Sequence, residues 1–335
     1  MLKCRIGFMQ KMLLATLLIA VLFLSGCTTQ TGKVYHVGIL SGLDALSGIA
    51  DSFKAKMTEL GYIEGKNIVY DIQKTNFEPD KEQQILKKFV DDKVDLIFTF
   101  PTEPAVAAKA ATQGTGIPVV FSFATIEDNN LVDSVRQPGG NITGVREPGP
   151  DIFVKRLEIL HELAPQAKRV YITYNPNAPP VPPALDVLRK AAPLMNVTLV
   201  ENPVATVEEI ETDLQARNKS ADIGMDAILM MGEPLSVSPP ALEAMTKFAT
   251  EHKIPIGGVG SYTIRGSIVF SYEIVLDDMG KLAAPLTDKI LKGTPAGTIP
   301  VVTPEAKLLI NYKLAKELNL TVSEGLLARA DEIIR

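Results

Sequence analysis

The sequence predicts an α/β fold made of two similar lobes, each built on a parallel sheet, with a ligand cleft between them. Short runs rich in β-branched residues alternate with helical patterns from Val34 onward, which is typical of stacked strand–helix–strand units. The run at residues 95–100 has no polar alternation before Thr99, as in strands buried on both faces. The same order of elements returns from Val170 onward, so the chain carries two copies of one module.

In the first half, residues 37–40 form the first predicted strand. Apolar residues then recur at spacings of three and four, which predicts a helix with one buried face. Gly61 follows at the position where a left-handed C-cap belongs. A second predicted strand at residues 67–72 and a helix opened by Pro79 lead to the third strand.

The second half repeats these elements and their strand ends. Its predicted strands lie at residues 170–174, 197–201 and 227–231, and its predicted helices at residues 183–195 and 207–218. Pro101-Thr102-Glu103-Pro104 follows the third strand of the first half, and Gly232-Glu233-Pro234 follows its counterpart. Open α/β sheets bind ligands outside the carboxyl ends of their strands, so two facing modules predict a cleft lined by these loops.

A segment at residues 136–150 is the densest in Pro and Gly and is the predicted crossover between the lobes. We expect residues 276–291, 298–302 and 307–311 to cross back, which makes a hinge of two or three strands. Such a hinge restricts two lobes to opening and closing about one axis. The predicted division is lobe 1 at residues 34–147 plus about 274–298, and lobe 2 at residues 148–273 plus about 299–335.

The N-terminus combines basic residues, an apolar run and the lipobox Leu24-Ser25-Gly26-Cys27. The apolar run at residues 12–24 is about half to two-thirds of a spanning helix. Residues 1–26 are therefore predicted to be a cleaved lipoprotein signal, with an uncleaved anchor helix as the alternative. Cys27 is the predicted lipidation site and residues 27–33 the tether. We expect the rest of the chain outside the cytoplasm, anchored to a membrane on the periplasmic side or the cell surface.

Composition excludes several function classes. The formal net charge is −5, and removal of residues 1–26, which hold three basic and no acidic residues, makes it −8. An acidic protein is a poor partner for nucleic acid. Cys4 leaves with the signal and Cys27 is predicted to carry lipid, so no thiol remains for a disulfide or a metal site. The three histidines, His36, His161 and His252, show no metal-binding spacing, so no metal and no cofactor are predicted.

Motifs of catalysis are missing from the sequence. It has no Gly-x-Ser-x-Gly elbow and no Walker loop, and the glycine run at residues 257–260 lacks the spacing of a dinucleotide fingerprint. Glu103 and Glu233 form the best enzymatic alternative, because two carboxylates that flank a bond can hydrolyse a glycoside. We predict that the protein is not an enzyme.

The lipobox, the strand at residues 37–40, the Pro-Gly-Gly-Asn-Ile-Thr-Gly-Val segment at residues 138–145 and the Tyr174-Asn175-Pro176 strand end resemble a known family. It is the ABC-transporter substrate-binding protein family that includes tryptophan/tyrosine-type binding lipoproteins, and the likeness runs from about Val34 to the C-terminus. The resemblance implies two Rossmann-like lobes in the type I periplasmic-binding-protein fold and no catalysis. It also implies delivery of a small solute to an ABC permease and its ATPase. The resemblance also implies a ligand class, because the family members with assigned ligands mostly look like proteins that bind aromatic amino acids.

Three positions depart from the family pattern. Glu103 interposes a carboxylate in a turn that is commonly Thr-Pro-Ala-Ala-like. Glu233-Pro234 stands where an Asp-Asn pair is usual, and Glu127-Asp128 stands where Asp-Pro is expected. The departures leave the identity of the ligand open and do not affect the predicted fold or binding role.

Polar candidates for the ligand site lie at predicted strand ends. Ser41 and Gly42 are placed to offer backbone N–H groups to a carboxylate, and the alternative is an ordinary helix N-cap. Thr102 and Glu103 follow the third strand in the same way. Glu103 and Glu233 can each take an ammonium group, and the alternative for each is that it merely complements a helix dipole.

Aromatic candidates also lie at strand ends: Phe123, Tyr174 beside Asn175, Tyr262 and Tyr272. Their placement suggests stacking on a flat ligand, with core packing as the alternative for Phe123 and Tyr174. Arg146 is a further candidate for a ligand carboxylate, or a solvated hinge residue.

The main hypothesis is a lipid-anchored solute-binding protein of an ABC importer, whose lobes close on a small solute such as an amino acid with a planar side chain. A ligand-sensing partner of a membrane receptor with the same fold is the alternative.

Overall fold

The computed structural model describes residues 33–43, 46–127, 129–260 and 265–335. Four parts of the sequence prediction lie outside the described residues: the signal, Cys27 with most of its tether, Asp128 and Tyr262. Within the described ranges, no helix combines the length and the hydropathy that a membrane crossing requires.

Lobe 1 is built on a sheet of five parallel strands in the order β2-β1-β3-β4-β5. The strands are β1 (Tyr35–Ser41), β2 (Ile68–Lys74), β3 (Leu96–Phe100), β4 (Val119–Ala124) and β5 (Ile142–Arg146). The helices between them are α1 (Ser47–Glu59), α2 (Pro79–Asp91) and α3 (Thr102–Ala111). Every residue of β3 is buried, which confirms the two-sided burial predicted for this strand. Gly61 has φ +95° just after α1, as its predicted C-cap position requires.

Lobe 2 is built on a sheet of seven strands in the order β12-β11-β10-β9-β8-β6-β7, parallel except where β10 meets β11. The strands are β6 (Arg169–Tyr174), β7 (Thr198–Pro203), β8 (Ala227–Leu229), β9 (Ile256–Gly258), β10 (Phe270–Glu273), β11 (Lys307–Asn311) and β12 (Glu332–Ile334). The helices in this part of the chain are α4 (Asp151–Leu163), α5 (Val181–Ala191), α6 (Val207–Asn218), α7 (Pro239–His252), α8 (Leu276–Leu291), α9 (Tyr312–Glu317) and α10 (Glu324–Arg329).

Local chemistry sets the ends of these helices. The helix predicted at residues 183–195 is split, because α5 ends at Ala191 and Ala192–Met195 form a 3₁₀ turn. Pro193 in this turn has no N–H to continue the α-helical ladder. By contrast α6 begins as predicted, with the Thr206 hydroxyl and the Glu209 carboxylate capping each other's backbone N–H groups.

The helix α8 follows lobe 2 in sequence but packs on lobe 1. Its Met279 and Ala283 belong to the apolar core that α1 shares with the first sheet. At Gly280 a Cβ atom would lie 2.1 Å from the backbone oxygen of Ile49, so only glycine allows this close approach. The Ser122 hydroxyl in β4 also donates to the Met279 carbonyl at 3.2 Å.

The chain passes between the two sheets three times, after β5, after β10 and before β11. The hydrogen bonds of the third crossing extend lobe 1 a few residues beyond the approximate limit predicted near residue 298. The Val302 N–H donates to Gly144 O and the Arg146 N–H donates to Val302 O, both at 2.9 Å, so residues 299–302 belong with lobe 1. The reason is that β5 is an edge strand whose free backbone groups take a further segment. The third crossing therefore lies at residues 303–306, and the other predicted limits stay predictions.

Candidate functional site

A cleft of 440 Å³ lies between the two sheets and is the candidate ligand site. Its volume lies in the range typical of small-molecule sites, roughly 300–1,000 Å³. Phe123 and Glu147 contribute to the wall from lobe 1. Phe153, Arg156 and Glu273 contribute from lobe 2. The cleft is thus aromatic on both sides, with carboxylates on both walls and a guanidinium in lobe 2.

Phe123 reaches the cleft through an irregularity in β4. The pairing register with β5 shifts between Ser122 and Ala124, and Phe123 itself has φ +50°. A bulge of this kind re-aims a side chain, and bulges are common beside functional sites. A left-handed conformation costs a bulky residue on the order of 1–2 kcal/mol. Strain, half-burial and position in the cleft wall together favour a ligand contact for this ring.

Glu147 is the first residue after β5 and stands where the chain leaves lobe 1. Its carboxylate accepts a hydrogen bond from the Thr125 hydroxyl at 3.2 Å. Burial, opposed by the hydrogen bond from the Thr125 hydroxyl and assisted by the negative charges of Glu103 and Glu127, raises the pKa of this carboxyl to about 7. A cationic group in the cleft would favour the ionised form of Glu147.

Arg156 lies on α4, the first helix of lobe 2, and is only 7% exposed. Its Nε donates to Tyr272 O at 2.8 Å and its Nη1 to Met231 O at 3.5 Å. The guanidinium carbon lies 5.1 Å from the centre of the Phe153 ring. Burial lowers the pKa of Arg156 to about 10, with the charge of Glu273 acting in the opposite direction. Arg156 is therefore still protonated at neutral pH and can meet an anion.

Four predicted polar residues of lobe 1 already have partners within that lobe or face solvent. The Ser41 hydroxyl donates to Leu43 O, and the Gly42 N–H donates to Phe100 O, both at 2.9 Å. The Thr102 hydroxyl accepts from the Thr125 N–H at 3.0 Å. Glu103 is exposed in the first turn of α3. The Gly42 N–H, which the sequence offered to a ligand carboxylate, is thus already bonded within the sheet.

Glu233 and Tyr174 are placed away from the cleft by their own contacts. Glu233 is 1% exposed, and its carboxylate accepts from the N–H groups of Leu235 and Ser236 at 2.9 and 2.8 Å. Tyr174 is 3% exposed and belongs to the lobe 2 core. Its hydroxyl donates to Glu201 at 2.5 Å. Burial and the Glu201 carboxylate raise the pKa of Tyr174 to about 12.

The three remaining candidates also have places in the structure. Asn175 accepts from the Asn177 N–H at 3.0 Å and so shapes the turn after β6. Tyr272 lines a separate cavity on the rear of the hinge, because neighbours on a strand point to opposite faces and Glu273 faces the cleft. Arg146 pairs with Glu127 at 3.0 Å, so this guanidinium has a carboxylate partner inside lobe 1.

Sequence reasoning missed Glu147, Phe153, Arg156 and Glu273. A signal was present for Arg156, since it lies on the face of α4 that also carries the buried Leu157 and Leu160. A charged residue on the apolar face of an amphipathic helix is rarely buried without a partner. For Glu147 the sequence contained no such signal. It adjoins Arg146, which the sequence did name, and the path of the chain after β5 decides which of the two side chains faces the cleft.

Two lobes joined by three crossings, with a cleft at the carboxyl ends of their strands, define a ligand-binding protein. The family model described as ABC transporter substrate binding protein matches residues 36–334. The chain belongs to this family. The family resemblance and the α/β type I periplasmic-binding-protein fold predicted from the sequence are both confirmed.

The relatives agree with this assignment. The chain is 29% identical over 297 residues to a tyrosine-binding protein of Clostridioides difficile (strain R20291). The aligned region covers 87% of this chain and 83% of the relative. Among solved structures, a ligand-free, open substrate binding protein with adhesive properties from Clostridium difficile has a TM-score of 0.71 at 25% identity, covering 89% of this chain and 99% of that one. An ABC domain in complex with L-Trp from Streptococcus pneumonia has the same TM-score at 23% identity, covering 90% and 100%.

Proposed function

We propose that this protein is the extracytoplasmic, lipid-anchored solute-binding component of an ABC importer and that its ligand is an aromatic amino acid. The observation that carries the proposal is the pair of phenylalanine rings, Phe123 and Phe153, which line one cleft from opposite lobes. Closure of the lobes brings such rings onto the faces or edges of a planar side chain, which is the geometry that aromatic contacts favour. The proposal agrees with the ligands named for the C. difficile and S. pneumonia relatives.

Charge in the cleft suits a free amino acid. Glu147 and Glu273 offer acceptors for an ammonium group, and Arg156 offers donors for a carboxylate. An uncharged sugar would leave the buried guanidinium without an anion, so the charged groups support an amino acid over a sugar.

The transport role rests on the family and on the hinge. Three crossing segments allow closure about one axis, and closure changes the surfaces that both lobes present to a permease and its ATPase. The proposed anchor is lipid on Cys27 of the lipobox. Labelling of cells with a fatty-acid precursor should mark the wild-type chain and not the Cys27→Ala variant, and equal labelling of the two chains would contradict lipidation at Cys27.

Isothermal titration of the full-length chain in detergent with L-tyrosine, L-tryptophan and L-phenylalanine tests the ligand class, with L-leucine and myo-inositol for comparison. We expect the aromatic amino acids to bind at least tenfold more tightly than L-leucine. Preference for L-leucine or myo-inositol would reject the proposal.

A matched pair of variants places the binding in the cleft. Phe123→Ala should weaken binding of the aromatic amino acids. Phe77→Ala should not, although Phe77 is also a lobe 1 phenylalanine with positive φ, because it is 38% exposed and outside the cleft wall. Equal loss in both variants would indicate damage to lobe 1 rather than a lost ligand contact.

A further inference from the structure

We propose that the bound amino acid forms a charged bridge between the lobes, with its ammonium group on Glu147 of lobe 1 and its carboxylate on Arg156 of lobe 2. This inference rests on the proposed function and deepens it, because it assigns the orientation of the ligand and makes the ligand's two charges the groups that hold the cleft closed.

The lobe 1 side of the cleft is acidic around Glu147. Glu103 on α3 and Glu127 after β4 both act on it with negative charge. The neighbouring cation, Arg146, is already paired with Glu127 at 3.0 Å. Among the described residues, Thr125 is the side-chain donor to Glu147, and one hydroxyl leaves most of the acceptor sites of a carboxylate open. An ammonium group fits this surrounding, and a carboxylate does not.

The lobe 2 side offers the opposite charge. Two backbone carbonyls, of Tyr272 and Met231, hold the Arg156 guanidinium in place. In the described part of the chain, no carboxylate lies within 4.0 Å of it. At Gly232, which has φ +78° and also lines the cleft, a Cβ atom would lie 3.3 Å from Arg156 Nη1. Glycine at this position therefore leaves Nη1 uncrowded beside the cleft.

Of the residues that the structure describes, Glu273 is the only lobe 2 acid in this cleft wall, and its negative charge acts on Arg156. Its carboxylate accepts from the Gly260 N–H at 3.2 Å, so it is engaged with its own lobe. Glu147 is engaged by a single neutral hydroxyl. Of the two carboxylates in the cleft, Glu147 thus has the greater need of a cation.

A bridge of this kind links binding to protons. Near neutral pH part of the Glu147 population is protonated, and an ammonium ligand selects the ionised form, so binding should release a proton. With the pKa at about 7, roughly 0.7 proton should be released per ligand at pH 6.5 and almost none at pH 8.5. Titrations in buffers of different ionisation enthalpy measure this number directly.

Ligand analogues test the orientation. The probes are L-tyrosine, tyramine, which lacks the carboxylate, and 3-(4-hydroxyphenyl)propionate, which lacks the ammonium group. On the full-length wild-type chain we expect each analogue to bind roughly ten- to hundredfold more weakly than L-tyrosine, the range for one charge-assisted hydrogen-bonded pair.

Two variants complete the test. Glu147→Gln should abolish proton release and reduce the preference for L-tyrosine over the propionate, while the preference over tyramine remains. Arg156→Lys should reduce the preference for L-tyrosine over tyramine, while the preference over the propionate remains. Glu103→Gln is the matched control, because it removes a nearby carboxylate that is exposed and outside the cleft wall. It should keep both preferences and most of the proton release.

The outcomes separate the two proposals. One outcome is that L-tyrosine binds while Glu147→Gln erases the preference for L-tyrosine over tyramine. In that case Glu147 contacts the ligand carboxylate, so the orientation of the ligand is reversed. The bridge is then rejected and the proposed function stands. Unchanged proton release in Glu147→Gln rejects the bridge in the same way. If Arg156→Lys does not fold, the wild-type analogue series and the Glu147 variant still decide. If no aromatic amino acid binds the wild-type chain, both proposals fail.

Discussion

Two equivalent turns of the molecule, Thr102-Glu103-Pro104 in lobe 1 and Gly232-Glu233-Pro234 in lobe 2, carry similar sequences and have different structures. In lobe 1 the helix α3 begins at Thr102, so Glu103 lies exposed in its first turn. In lobe 2, Gly232 has φ +78° and α7 begins only at Pro239. The intervening chain folds back, and Glu233 becomes a buried acceptor for two backbone N–H groups. Local backbone conformation, and not the residue type, decides between a surface charge and a structural one.

The largest expected effect comes from removing the structural member of this pair. Glu233→Ala leaves the N–H groups of the half-buried Leu235 and the buried Ser236 without their acceptor. Each buried unsatisfied group costs about 1–3 kcal/mol, so the free energy of unfolding should fall by roughly 3 kcal/mol. Urea denaturation followed by circular dichroism measures this loss.

Glu103→Ala is the matched control for that prediction. Its carboxylate is exposed, and substitutions at exposed positions usually change stability by less than about 0.5 kcal/mol. Similar losses in the two variants would show that the two turns are energetically alike and would remove the distinction drawn between them.

A third carboxylate, Glu147, extends the comparison, because it is half-buried with one neutral donor where Glu233 is fully buried with two backbone donors. Its pKa is raised to about 7 in the folded protein, against about 4.3 for an unperturbed glutamate. The folded state therefore binds more protons than the unfolded state between these values, and stability from this group is lost as pH rises from about 4.5 to 7. The expected size is about 1–2 kcal/mol after allowance for screening.

Glu147→Gln should flatten this part of the pH dependence and should make the ligand-free protein more stable than wild type at pH 8. Urea denaturation at a series of pH values, without ligand, tests this. A wild-type profile that is flat between pH 4.5 and 7, or one that the substitution leaves unchanged, would show that Glu147 is not destabilised in its charged form.

The sequence predicted the α/β elements well, because burial on one or both faces leaves a periodic pattern of apolar residues. It also placed Gly61 in its left-handed C-cap. The cleft residues were harder to predict. Phe123 was accessible to sequence reasoning because it stands at a strand end. Arg156 left one signal, a charge on the apolar face of α4, but that face by itself predicts core packing. Only the packed lobes show where the face meets the cleft.

Backbone strain at Phe123 gives a smaller and more specific prediction. Glycine tolerates φ +50° and alanine does not, so Phe123→Gly should be about 1 kcal/mol more stable to unfolding than Phe123→Ala, while both lose the ring. Thermal and urea unfolding of the two variants measure the difference. The same pair at Phe77, with φ +57°, should show the same order in stability. Equal stability of Phe123→Ala and Phe123→Gly would show that the backbone at residue 123 is not strained, and strain would then no longer support a ligand contact for Phe123.

The smallest effect is expected at Tyr174, one of the lobe 2 aromatic residues that the sequence predicted as ligand contacts. Its ring packs in the lobe 2 core and its hydroxyl is bonded to Glu201, which Arg189 also binds at 2.7 Å. In Tyr174→Phe the ring stays and Glu201 keeps Arg189, so stability should fall by at most about 1 kcal/mol. The dissociation constant for L-tyrosine should change by less than about twofold, since no group in the cleft is altered. A tenfold loss of affinity with unchanged stability would place Tyr174 at the ligand after all, because a core residue can weaken binding only by disturbing the fold around it.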